Sequence, residues 1–235
     1  MLRIVLVEPR EAGNVGAVAR AMKNFGFGDL CIVGSHPPLQ PIAGWWASGA
    51  EDLVSGARFV SSLEEAVADA HLTVATTSTR GRTTPVDLDP PGVAREYGQL
   101  GESQRMALVF GREDSGLTRE ELVLCQRTAA ITTHADFPTM NLAQAVCVFC
   151  YELSGIPQLA VGRERVEAAI IERLHQRARE LLLEAGFLHQ NNPDRIYDDL
   201  RALLGRADPD QRETTILLGI LRQLEWKLGR TKIED

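Results

Sequence analysis

Chemistry-bearing residues in this chain gather where apolar runs stop. Asn14 and Arg20 share the stretch GNVGAVARAM, Arg80 and Arg82 flank Gly81 in STRGR, and Arg112 and Glu113 follow Gly111 in FGREDSGLT. A further stretch, HADFPTMNLAQAV, holds Pro138, Thr139, Met140 and Asn141. Planar guanidinium forks suit carboxylates and phosphates. A glycine lets another group approach the backbone closely. The five histidines are scattered without ligand spacing, and His134 reads as a loop residue, so no metal is expected. By physics alone these residues make a small-molecule site of unknown identity.

The elements that must hold them follow from periodicity. Met106 to Phe110 is a continuous apolar run and Leu2 to Val7 a buried-type strand, the pattern of strands buried on both faces of a parallel sheet. Further strands are expected at Leu30 to Val33, Arg58 to Ser61, Leu72 to Thr77 and Ala129 to Thr133. Helices are expected between them: one follows Asn14, which is placed to cap it, others span Leu63 to Ala70 with Ser62 as cap and Val93 to Leu100, and one opens at Met140. Alternating strands and helices imply an α/β fold, a parallel sheet with helices on both faces. Loops leaving the carboxyl edge of such a sheet are where ligands bind. Helical periodicity breaks in SGIPQLAVG, which divides the chain into a domain over 1–158 and an all-helical extension over 163–235. The segment from Pro85 to Pro91 is read as irregular.

At 235 residues the chain holds one sizeable core and a small appendage. No run of 18 apolar residues exists and MLRIVLVEPR is too short and too soon acidic for a signal peptide, so no membrane partner and a cytoplasmic setting are expected. Cys147 and Cys150 form C-x-x-C inside an apolar helical run, where two small core-facing residues are the ordinary reading. The net charge of −7 opposes a protein that coats nucleic acid. Residues 1–162 hold 12 basic and 18 acidic side chains, a net of −6, and 163–235 hold 13 and 14, a net of −1. Any RNA contact must therefore come from clustered arginines. Arg163, Arg165, Arg173, Arg177 and Arg179 form one such cluster, but interspersed acids fit a salt-bridged, solvated helix equally well. GNVGAVAR lacks the G-x-G-x-x-G spacing of a dinucleotide fingerprint.

FGREDSGLT followed by TMNLAQAV, with N-x-G-x-x-x-R upstream as Asn14, Gly16 and Arg20, resembles the three ordered motifs of the SPOUT RNA methyltransferases of the TrmH/TrmJ branch. The carboxyl-terminal part further resembles the tRNA-methylating members of that branch. The resemblance implies a trefoil knot in the chain carrying the second and third motifs, a homodimer, and S-adenosyl-L-methionine as methyl donor. It implies 2′-O-methylation of a ribose in tRNA, at nucleotide 32 of the anticodon loop. Arg20, Asn14 and Thr139 become the catalytic candidates. Thr77, Ser78, Thr79, Gly111, Ile131, Pro138, Thr139 and Met140 become the donor contacts, and Arg80, Arg82 and Arg112 the RNA contacts. Thr139 stands where the family's serine is usual and Met140 where leucine is, keeping a hydroxyl but adding a stiffening methyl. A guanidinium is a donor with a pKa above about 12, which favours Arg20 as stabiliser of a developing oxyanion over the family's alternative of a base. The same chemistry on another RNA site, a non-catalytic RNA-binding module and a dinucleotide-dependent oxidoreductase are the competing readings.

Overall fold

The computed structural model describes residues 1–78, 86–189 and 193–228, and the chain divides into two compact units, Met1–Arg163 and Glu164–Asp235. The first unit is built on six parallel strands: β1 (Leu2–Val7), β2 (Asp29–Val33), β3 (Arg58–Val60), β4 (Leu72–Thr76), β5 (Met106–Phe110) and β6 (Arg127–Ala129). Their order is β3-β2-β1-β5-β4-β6. β1 and β5 lie side by side at the centre with every residue buried, which is why β5 reads as an unbroken apolar run and β1 as one broken only by Arg3. The order of travel reverses at this pair, so the crevice at their carboxyl ends is a switch point.

Seven helices accompany the strands among the described residues: α1 (Ala12–Asn24), α2 (Ile42–Ala47), α3 (Glu51–Ser55), α4 (Leu63–Val67), α5 (Pro90–Gly98), α6 (Arg119–Leu124) and α7 (Leu142–Leu153). α1 and α2 touch backbone to side: a Cβ added at Gly16 would lie 2.1 Å from the carbonyl oxygen of Ala43. The glycine of the first motif is thus a helix-crossing glycine. The helical stretch around WWASGAEDLV is broken into α2 and α3 at Ser48 and Gly49, whose φ angles are 30° and 88°. Ser62 caps α4 as expected, accepting from Glu65 N. Pro90 and Pro91 were expected in irregular chain and instead open α5, where a missing N–H costs nothing and Asp89 supplies the cap. The last strand is earlier than expected, since residues 130–133 continue past Ala129 without strand pairing.

In the second unit the described elements are α8 (Ala168–Glu184), α9 (Pro193–Ala207) and α10 (Gln211–Lys227). Four of the five clustered arginines lie in this unit, and three of them are committed to carboxylates: Arg165 to Asp208 at 2.8 Å, Arg179 to Asp194 at 2.8 Å, and Arg177 to Glu225. The salt-bridged reading fits those three. Arg173 is exposed. No described helix of either unit is long and apolar enough to cross a membrane.

Candidate active site

Loops leaving β4, β5 and β6 converge on a cavity of about 350 Å³. Thr77 and Ser78 line it from the first loop, Gly111 through Leu117 from the second, and Ile131 with Pro138, Thr139 and Met140 from the third. Phe149, Ala145 and Leu142 of α7 make its apolar floor. The structure therefore brings together every donor-contact candidate that it describes. Thr79, Arg80 and Arg82 lie outside the described residues.

The second loop is pinned by its own backbone. Arg112 and Gly116 exchange main-chain hydrogen bonds of 3.2 and 2.9 Å, and a Cβ at Gly111 would meet the Gly116 carbonyl carbon at 2.2 Å and Leu117 N at 2.3 Å. Gly111 is glycine because the loop folds back on it. It lines the cavity from that folded loop.

Arg112 is also placed differently from expectation. Its Nε donates to Glu8 at 2.8 Å and its Nη atoms grip both oxygens of Glu121 at 3.0 Å, with the side chain largely buried. The two hydrogen bonds to Glu121 hold the guanidinium more firmly protonated than usual, burial opposes this, and the bond to Glu8 adds to it. Such a fork, saturated by two carboxylates, binds the exit of β1 to the capping box of α6 and has no free edge for a phosphate. Glu113 does not pair with Arg112. It accepts from Asn14 Nδ2 at 2.8 Å and from the main-chain N–H groups of Arg10 at 2.8 Å and Glu11 at 3.3 Å. A carboxylate from the second motif therefore satisfies the start of α1, the task expected of Asn14. Asn14 instead lies inside the first turn, and Glu11 is the N-cap residue.

Asn14 passes the connection on. Its Oδ1 accepts from Asn141 Nδ2 at 2.9 Å, while Asn141 Oδ1 caps α7 by accepting from Ala143 N at 2.9 Å and Gln144 N at 3.3 Å. One carboxylate and two amides thus join the three motifs. The role of Glu113 escaped the sequence because its partner is 99 residues distant. Asp114 stands on the cavity wall, its carboxyl held below the usual range by the hydroxyl of Ser115, which donates at 2.9 Å. Among the described lining residues there is neither histidine nor lysine.

Arg20 is exposed and is not among the described residues lining the cavity. Six residues on from Asn14, it points about 120° away from it around α1. The two first-motif candidates are not brought together within one chain.

Residues 1–151 match the model of the SpoU rRNA Methylase family, and 169–233 match that of the tRNA methyltransferase TrmJ C-terminal domain. The chain belongs to the SpoU methylase family. Its relatives match along nearly their full lengths. The tRNA (cytidine/uridine-2′-O-)-methyltransferase TrmJ of Klebsiella pneumoniae is 39% identical over 95% of this chain and 96% of its own. That of Escherichia coli is 39% identical over 99% and 98%. The crystal structure of TrmJ from Z. mobilis superposes with a TM-score of 0.81 at 31% identity, covering 96% of this chain and 99% of that one. SpoU-type architecture accounts for the crowding of all three motifs at one sheet edge, and membership makes this chain a methyltransferase.

Proposed function

We propose that the protein transfers the methyl group of S-adenosylmethionine to a ribose 2′-oxygen of tRNA, at nucleotide 32 of the anticodon loop, as a cytoplasmic homodimer. The observation that carries this reading is the convergence of three strand-end loops on one cavity, in a chain that matches relatives named for this reaction from end to end.

The residues present fit the donor. Ile131, Met140 and Leu142 offer apolar surface for an adenine, Thr77, Ser78 and Thr139 offer hydroxyls, and the ionised Asp114 suits a cation. The donor, when bound, supplies a sulfonium methyl open to in-line attack. What the chain must add is positioning of the ribose and stabilisation of its oxygen as the proton leaves. With neither histidine nor lysine among the described lining, that second task falls to a cation, and Arg20 is the candidate. Its placement away from the cavity of its own chain supports a dimer in which Arg20 serves the cavity of the second copy. Its planar fork binds the hydroxyl and stabilises the oxyanion. Asn14 and Asn141 hold the walls in register, and Thr139 takes the place of the usual serine.

The trefoil knot belongs to the same reading. β5 inserts between β1 and β4, the chain then returns past β4 to β6, and Leu88 from the loop after β4 pairs alongside Ala129, so two connections overlap at one sheet edge. Ordinary folds avoid that arrangement. Incubating the protein with methyl-labelled donor and unmodified tRNA transcripts, then mapping alkali-resistant linkages, tests the function. Label at the ribose of nucleotide 32 is the expected result. Absence of ribose methylation in every tRNA would overturn it.

A further inference from the structure

α2 presents two adjacent tryptophans to solvent, Trp45 at 73% and Trp46 at 61% exposure. Tryptophans are seldom left this open, and a neighbouring pair calls for a partner. Their place narrows its chemistry. The indole of Trp46 rests on Gly13, where a Cβ would come within 3.1 Å of Nε1 and 3.2 Å of Cδ1. Gly13 directly precedes Asn14, the hub of the hydrogen bonds joining the three motifs. Arg20 is seven residues on from Gly13, two helical turns, and so shares its face of α1 at a distance of about 10 Å along the axis. Flat indole faces and an exposed guanidinium beside a functional site form the combination by which proteins hold unpaired nucleobases, stacking the base and holding the backbone.

We propose that Trp46, with Trp45 beside it, is a stacking site for an unpaired base flanking the methylated nucleotide. The proposal rests on the reading of the substrate as RNA. Gly13 is the seat that lets the indole pack closely against α1, and the close joint of Gly16 against Ala43 fixes α2 so that the platform is preformed. The occupant is nucleic acid, because Trp46 seats on Gly13 directly beside Asn14, at the edge of the site to which the proposed reaction brings its RNA substrate.

The test uses the full chain and unmodified tRNA transcripts. Trp46→Ala should weaken RNA affinity about tenfold, the scale of losing one base–aromatic stack, with kcat at saturating RNA and donor affinity unchanged. Trp46→Phe, which keeps an aromatic face, should recover most of the loss. Quenching of tryptophan fluorescence on adding RNA should shrink in the Trp46→Ala protein. A wild-type protein that methylates no RNA would reject the functional reading itself. A wild type that methylates tRNA beside a Trp46→Ala protein of unchanged RNA affinity would overturn the stacking site alone. So would an altered sedimentation coefficient with RNA affinity intact, by making the pair a contact between copies.

Discussion

Asn141 donates its side-chain amide to Asn14 at 2.9 Å across 127 residues of chain. The same asparagine caps α7, so its replacement removes two things at once. Asn141→Ala should cost about 1 kcal/mol from the cap alone. In a double-mutant cycle with Asn14→Ala, urea unfolding should reveal a coupling of about 1 kcal/mol for the shared hydrogen bond. Strict additivity would mean that the two amides do not act together.

Gly111→Ala should damage the loop before it damages anything bound there. The methyl has no room against the Gly116 and Leu117 backbone, so Arg112 to Gly116 must move. Donor affinity measured by calorimetry should fall together with thermal stability. A fully stable protein that has lost only donor binding would instead favour direct obstruction of the cavity.

Arg20→Ala should lower kcat by roughly a hundredfold, the scale of losing one oxyanion donor, and Arg20→Lys should restore little of it. Mixing Arg20→Ala with a cavity-filling Thr139→Trp variant tests which copy the arginine serves. If it acts across a two-fold dimer, mixed dimers regain one working site and about a quarter of wild-type activity returns. No recovery would place Arg20 in the site of its own chain.

Arg112→Ala should behave as a folding variant. Glu8 and Glu121 lose their shared cation in a largely buried spot, at a cost of about 2 kcal/mol. The dependence of RNA affinity on salt should keep its slope. A residue bound to phosphate would instead reduce that slope by about 1 on removal.

Acid should loosen the second unit. His175 is buried, with Nδ1 3.2 Å from the Tyr197 oxygen, and Tyr197 donates in turn to the His175 carbonyl. Burial first, and Arg201 second, lower the His175 pKa from 6.5 to about 3. Below pH 6.5 the unfolded chain takes up a proton that the folded one refuses. Stability is therefore complete above that value and falls with acidification by up to about 1.4 kcal/mol per unit. The fall continues to about pH 3. Unfolding followed through Trp226 should show this slope in wild type and a flatter one in His175→Gln.

Apolar runs made β1 and β5 readable, because a strand buried on both faces leaves no other pattern. The converging loops were readable for the same reason, since strand ends and motif residues coincide. What could not be read was partnership. Arg112 looks like a free arginine until Glu8 and Glu121 close on it from 104 and 9 residues away. Arg3 likewise lies inside a buried strand, where Asp29 from the neighbouring strand β2 and Asp69 from beyond α4 neutralise it. Asn14 carries a capping side chain at a helix start, yet Glu113 arrives from 99 residues downstream and takes the role. Local propensity cannot anticipate a competitor supplied by tertiary structure.

The neighbour of β1 in the sheet sets an order of events during synthesis. β1 leaves the ribosome about 100 residues ahead of β5, so one of its two edges stays open until Met106 to Phe110 emerge. At roughly 5–20 residues per second that is a wait of several seconds. Even then the first motif lacks its last partner until Asn141 appears. A nascent chain halted before Phe110 would expose a bare apolar strand edge, the form in which chains are captured by chaperones or pair with one another.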